Sequence, residues 1–156
     1  MLQIVIDTRE QTPWHFPAWI ADTNIGTLQT GDYALKGDMS FAIERKSMND
    51  FVGTISSGWE RFRREISRME AWCARVVIVE GNFSEAVFSS LPDGSMLNPC
   101  HDHNLVSPQF IMKRIACLTM MNVSVLFAGS PDAACALAVS IFRERLNMSD
   151  KGNDND

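Results

Sequence analysis

Three residues in the first third of the chain have the types and spacing to do chemistry: Asp32, Glu44 and Lys46. The last two sit in FAIERKSMND, where an apolar run reads straight into three consecutive charges. An unpaired charge is costly to bury, so these side chains are either solvated or matched by something bound. Side chains two apart in a strand share a face, which puts Glu44 and Lys46 together and Arg45 on the other side. If residues 28–35 and 40–46 form a hairpin, Asp32 reaches Glu44. Two carboxylates and a lysine then converge. Hard oxygen ligands of this kind suit Mg²⁺ or Mn²⁺, held by one or two carboxylates with waters and a substrate phosphate. Such an ion polarises a phosphoryl oxygen and lowers the pKa of a bound water. The lysine can orient or deprotonate that water, or offset developing negative charge. The bland alternative is a surface hairpin with a routine Glu–Lys pair, worth little.

These residues need elements to hold them. Residues 2–7 (LQIVID) are a short β-rich run, and residues 12–19 (TPWHFPAW), with two prolines, read as a loop. IGTLQTGDYAL and MSFAIERK read as two strands joined by a turn at Lys36–Asp38. Ser47, with Asp50 three positions on, opens a short helix over 47–55 in a capping-box pattern. Gly58 breaks it. An amphipathic helix follows over 59–73, with Phe62, Ile66, Met69 and Cys73 on one face. RVVIVEG (75–81) and VSVLFAG read as buried strands. FSEAVFSSL, QFIMKRIACLTMM and the stretch from Pro131 to Leu146 read as helices, the last with proline in its first turn. Early antiparallel strands followed by strand–helix alternation predict an α/β fold of three layers, a mixed central β-sheet flanked by helices.

The second helix carries more than a core face. At 100° per residue, Arg61, Arg64 and Arg68 fall in one narrow sector opposite Phe62 and Ile66, with Glu60, Glu65 and Glu70 outside it. Three aligned arginines suit a phosphate track, and the helix follows the charged strand end directly. The alternative is an exposed helix with local Glu–Arg pairs. Lys113 and Arg114 make a weaker second patch. Arg143 and Arg145, near a helix C-terminus, fit dipole compensation. Cys100 to Asn104 (CHDHN) matches no common zinc spacing. Trp14, His15 and Phe16 can stack on a base or pack over a sheet edge.

Taken together and in order, IDTREQTPW, TGDYAL and IERKSMNDF resemble the nuclease domain of the XPF/MUS-type structure-specific endonucleases, within the PD-(D/E)XK restriction-like superfamily. That family's hallmark is GD…ERK…D. Here it corresponds to Gly31-Asp32, Glu44-Arg45-Lys46 and Asp50. The closing segment from Val125 to Leu146 also resembles the family's last strand, Ser-Pro turn and helix. The resemblance covers about residues 3–146. It implies a restriction-endonuclease-like fold and a Mg²⁺- or Mn²⁺-dependent endodeoxyribonuclease acting on branched or flapped duplex DNA in repair, recombination or replication. By the same resemblance Asp32 and Glu44 are metal ligands, with Asp7 and Glu10 completing the acidic site directly or through water. Lys46 positions or activates the attacking water. Arg45 contributes a phosphate contact or structural pairing, and Arg9 pairs with an acid or faces DNA. Asp50 steadies Lys46 or Arg45, or caps its helix, or both.

One departure matters: the family's well-known members follow this domain with tandem helix-hairpin-helix modules, and none is found here. Structure specificity then falls to a partner protein or to a homodimer, for which ACALAVSIF is a candidate interface, unless that stretch is core. A less structure-specific restriction-like nuclease and a non-catalytic DNA-binding subunit on the same fold remain alternatives.

Composition sets the outer bounds. The chain has 156 residues, 46% apolar and 21% charged, which fits one globular domain. We expect that domain over residues 1–147, with 148–156 as a disordered polar tail. A net charge of −5 argues against coating nucleic acid by bulk charge, though not against a local basic groove. No run is long and apolar enough to cross a bilayer, and the start lacks the pattern of a signal peptide. Four scattered cysteines without C-x-x-C point to reduced thiols in the cytoplasm or nucleus.

Overall fold

The computed structural model describes residues 1–87, 89–90, 96–97 and 106–153. Its elements in chain order are β1 (Leu2–Asp7), β2 (Ala21–Gly26), β3 (Tyr33–Leu35), β4 (Ile43–Ser47), α1 (Met48–Ile55), α2 (Trp59–Arg68) and β5 (Arg75–Glu80). There follow α3 (Phe83–Val87), β6 (Ser89–Ser90), β7 (Met96–Leu97), α4 (Pro108–Met120), β8 (Val123–Phe127) and α5 (Pro131–Asn153). Six strands form one mixed sheet in the order β2-β1-β3-β4-β5-β8, and β6 pairs with β7 apart from it. β1–β3 and β3–β4 are antiparallel, while β4–β5 and β5–β8 are parallel. Among the described residues no helix is long and apolar enough to cross a membrane.

Strand alternation builds the layers. On β5, Val76 and Ile78 enter one core with Phe16, Phe41 and Phe142, and Val77 and Val79 enter the other with Phe51, Phe62 and Leu118. The first core lies under α5. The second lies under α1, α2 and α4. A three-layer α/β arrangement around a mixed sheet is therefore what the fold shows, as the strand–helix pattern implies. Within ACALAVSIF, Ala134, Ala138, Val139 and Phe142 are buried, so these four positions belong to the core beneath α5.

Several boundaries differ from the sequence reading. The long strand read over residues 25–35 shortens to Tyr33–Leu35. An unforeseen strand, β2, pairs parallel with β1 at the sheet edge. Its residues ADTNIG have little β-propensity, and four of the six are exposed, so neither alternation nor hydrophobicity marks it. α2 ends at Arg68, where Met69 caps it and turn hydrogen bonds at Met69, Glu70 and Trp72 take over. Cys73 therefore leaves the buried face expected of it and is exposed. α5 runs to Asn153, past Leu146, because no residue before Gly152 breaks the helix. The Cys100–Asn104 loop lies outside the described residues.

Candidate active site and its cleft

The β3–β4 hairpin positions the acidic pair. Gly31 sits at φ +77°, and a Cβ there would lie 2.7 Å from the Ala42 Cβ, so glycine is required on both counts. This tight approach lets Asp32 N–H donate to the Ile43 carbonyl at 2.9 Å. The Asp32 carboxylate turns back and accepts the Arg45 backbone N–H at 2.7 Å. Asp32 is thereby pinned to β4 between the two residues it must face.

Glu44 and Lys46 share the β4 face that looks toward α1 and α2, as strand geometry requires. The Lys46 Nζ lies 2.5 Å from Glu44 Oε1, with about a fifth of each side chain exposed. Burial opposes the Lys46 charge, but the Glu44 carboxylate, with Asp32 and Asp50 behind it, outweighs burial and raises the ammonium's pKa. Lys46 therefore presents a fixed cation, suited to orienting a water or offsetting charge. Asp32 goes the other way. Burial, then the Glu44 charge, push it up to about 7, only partly countered by the Arg45 N–H and by Lys46. The pair is a charge conflict held open to a cleft.

Arg45 points to the opposite face and is locked there. Its Nε and Nη2 donate to the two oxygens of Glu80 at 2.7 and 2.9 Å. Its Nη1 reaches Glu10 at 3.0 Å and the Thr12 carbonyl at 2.8 Å. Trp14 Nε1 donates to the same Glu80 at 2.5 Å, and the Trp14 ring stacks on Tyr33 at 4.4 Å. Of the two roles open to Arg45, structural pairing is the one this geometry favours. Glu80, at the end of β5, carries no signal of this pairing in the sequence, because its partner lies 35 residues away. Its one local sign is an acid closing an otherwise apolar strand.

Asp7 and Glu10 do not join Asp32 and Glu44. Among the described residues no group of three potential ligands could share an ion. The Asp7 side chain is fully buried and accepts from Arg9 Nε at 2.6 Å and Leu28 N–H at 2.7 Å. Burial would raise its pKa, but these bonds outweigh it and hold the carboxyl below its ordinary value. Glu10 is committed to Arg45 and the Thr12 N–H. Both acids thus hold arginines. Asp50 accepts the Ser47 hydroxyl at 2.6 Å and returns its N–H to the same oxygen at 3.1 Å, so it caps α1 while lying near Lys46.

The arginine stripe borders the site. An open cleft of about 590 Å³ is lined by Asp32, Glu44 and Lys46 together with Arg9, Arg61, Arg64 and Arg68, and by Glu65 from the same helix. Among the described residues none of Arg61, Arg64 and Arg68 forms an ion pair; the pair on α2 is Arg63–Glu60, on another side of the helix. The acidic chain therefore carries a local groove richer in basic than acidic side chains, with the carboxylate pair inside it. The other candidates resolve differently. Trp14 and Phe16 are buried around Tyr33, which is the packing reading. Arg114 stacks over Trp59 at 4.1 Å. Arg145 grips Asp38 at 2.7 Å, a pairing that neither residue's local sequence announces.

The comparisons with known proteins agree with this architecture. The ERCC4 domain model matches residues 6–141. The chain is 28% identical over 167 residues to the DNA repair endonuclease XPF of Cricetulus griseus and 27% identical to that of Mus musculus. Each alignment covers 96% of this chain but 18% of the relative, so the chain spans under a fifth of those proteins. Among solved structures, XPF from Aeropyrum pernix superposes with a TM-score of 0.63 at 19% identity, over 90% of this chain and 64% of that one. The same protein in complex with DNA gives 0.65 at 20%, over 96% and 66%.

Proposed function

The chain belongs to the ERCC4 domain family, and on that premise we propose that it is a metal-dependent DNA endonuclease hydrolysing a phosphodiester in branched or flapped duplex DNA during repair, recombination or replication. The observation that carries this reading is the single cleft in which Asp32, Glu44 and Lys46 meet Arg9, Arg61, Arg64 and Arg68. The relatives named as DNA repair endonucleases and the neighbour solved with DNA support it.

The donor set fits a Mg²⁺-type ion. It offers two hard carboxylates, and the open cleft leaves room for water and phosphate oxygens to complete the shell. Burial and, after it, the Glu44 charge lift Asp32, and a cation between the two carboxylates relieves that strain. A divalent ion held by Asp32 and Glu44 would polarise the phosphoryl oxygen and make a bound water more acidic.

The chain's own groups supply the rest. Arg61, Arg64 and Arg68 hold the phosphates of the strand along the cleft, and Arg9, fixed by Asp7, adds a further phosphate contact in the same cleft. Lys46 orients the water that attacks phosphorus, or stabilises charge on the pentacoordinate phosphorane. The Arg45 N–H holds Asp32 in ligand position. One P–O bond forms to the water oxygen as that water gives up a proton to bulk solvent, one P–O bond breaks to the leaving deoxyribose oxygen, and the leaving oxygen takes a proton from solvent.

The test is a cleavage assay on labelled flap, fork, four-way junction, linear duplex and single-stranded DNA, with and without Mg²⁺ or Mn²⁺. Metal-dependent cutting confined to branched DNA is the expected result. Equal cutting of linear duplex would replace structure specificity with a general nuclease. Binding without cutting under either metal would make the chain a non-catalytic DNA-binding subunit.

A further inference from the structure

The basic cleft is one of two that meet at Lys46. A second crevice, about 500 Å³ and open, is lined by Asn49, Asp50, Gly53, Thr54, Ser57 and Gly58 together with Lys46 and Arg61. Lys46, Thr54 and Arg61 line both. A strand with its scissile phosphate at Lys46 must continue on both sides of that phosphate. One side has the Arg64–Arg68 stripe. We propose that the other side of the cut strand runs through this second crevice, over the α1–α2 corner. This rests on the nuclease reading above and adds the path of the strand.

The chemistry of the two arms differs in a way that suits a strand rather than a small anion. The stripe arm is cationic. The corner arm carries neutral polar groups from Asn49, Thr54 and Ser57, with Lys46 and Arg61 only at the junction. Its one acid, Asp50, is already bonded to the Ser47 hydroxyl. Amide and hydroxyl groups suit sugars and base edges, while the phosphates are held mainly at the junction and along the stripe. The size lies within the roughly 300–1,000 Å³ of sites that take small-molecule ligands, which is room for a nucleotide-sized group.

Gly53 is what keeps the corner open. It lies inside α1, where glycine costs about 1 kcal/mol relative to alanine. Its φ is not in the left-handed region, and a Cβ added there meets nothing within 4 Å. Neither backbone conformation nor packing therefore asks for glycine, and the free space above it is the crevice. Its carbonyl accepts the Gly58 N–H at 2.9 Å, a bond that any side chain at 53 leaves intact.

The test compares wild type with Gly53→Ala and Gly53→Leu on two flap substrates. One ends at the nucleotide carrying the cut phosphate, and the other continues several nucleotides beyond it on the side away from the arginine stripe. Both variants should melt at or above the wild-type temperature. For the longer substrate KM should rise with side-chain size, by about tenfold for leucine, the loss of roughly one nucleotide's contacts. For the truncated substrate the three proteins should converge. A melted-out Gly53→Leu would shift the comparison to Ser57→Leu at the exposed corner, with the same expectation. Equal KM values for wild type and the folded leucine variant on the longer substrate would overturn the strand path while leaving the nuclease standing. A wild type that cuts neither substrate under Mg²⁺ or Mn²⁺ would overturn both.

Discussion

The main-chain N–H of Arg45 donates to the Asp32 carboxylate at 2.7 Å, while the Arg45 guanidinium grips Glu80 on the other face of the same strand. One residue thus ties the acidic pair in the cleft to a buried-side anchor. Glu44 and Lys46 flank it in sequence and face the cleft. A displacement of β4 at Arg45 would move Asp32, Glu44 and Lys46 together. The triplet Glu44-Arg45-Lys46 acts as two cleft residues mounted on a clamp.

Loss of that clamp should slow chemistry more than DNA binding. Arg45→Met and Glu80→Gln each remove one partner of a largely buried pair, and breaking such a pair costs about 3–5 kcal/mol when burial is complete. A misplacement near 1 Å costs about a hundredfold in rate. Single-turnover kinetics should show kcat falling about 10- to 100-fold, with DNA affinity near wild type. The double variant should be far from additive, because both changes release the same strand. Additive effects, or a kcat unchanged in a folded Glu80→Gln, would count against the clamp.

The stripe on α2 should appear in the salt dependence of binding. Arg64→Glu and Arg68→Glu each remove one phosphate contact, so the slope of log affinity against log salt should shrink by about one unit per contact. Fluorescence anisotropy across a salt series measures this. Arg63→Glu, which breaks only the exposed Glu60 pair, should leave the slope nearly unchanged. Equal slopes for all three would return the stripe to an ordinary solvated helix face.

Asp32→Asn should separate stability from activity. The Asp32 carboxyl has a folded pKa of about 7, above its ordinary 3.8, so the native state binds the proton more tightly than the unfolded chain. In metal-free protein this site therefore loses stability as pH rises from about 4 through 7. The asparagine variant avoids that loss. At pH 8 without divalent ions it should melt higher than wild type, and at pH 4 the two should match. It should cut nothing under either metal. A variant less stable than wild type at pH 8 would show that the carboxylate is not under strain.

Asp38 carries the opposite sign. Burial raises its pKa, but the Arg145 guanidinium and the Ser40 bonds outweigh burial and hold it below 3.8. Its contribution is complete above the unfolded value and disappears as pH falls through the folded one. Asp38→Asn should destabilise the protein by about 1–2 kcal/mol at neutral pH, and this difference should begin to shrink below about pH 4 and close as pH falls through the lower folded pKa. Urea melts across pH 3–8 would show it; a difference constant in pH would rule the ion pair out as its source.

What could be read from the sequence was what strand and helix periods dictate. Alternation alone places Glu44 and Lys46 together and Arg45 opposite, and a 100° turn alone lines up Arg61, Arg64 and Arg68. The apolar runs at 75–80 and 123–127 declared themselves as central strands. What depends on partners distant in sequence stayed hidden. Glu80 meets Arg45 only after β4 and β5 pair in parallel register, with Ser47 opposite Glu80. The Glu10 carboxylate, expected among the metal ligands, is turned to Arg45 by a loop whose path depends on Trp14 packing against Tyr33. β2 forms at a half-solvated edge with few apolar residues to mark it.

We propose that Glu44 and Lys46, facing one cleft with Asp32, carry out metal-dependent phosphodiester hydrolysis. Single-turnover cleavage of a labelled flap in Mg²⁺, comparing wild type with Lys46→Ala and Glu44→Ala, tests it most directly, with circular dichroism confirming each fold. The expected result is a rate at least about a hundredfold lower in each variant, with the fold retained and wild-type cutting abolished by chelating the metal. A folded variant that cuts at the wild-type rate, or a wild type that cuts equally well after chelation, would contradict it.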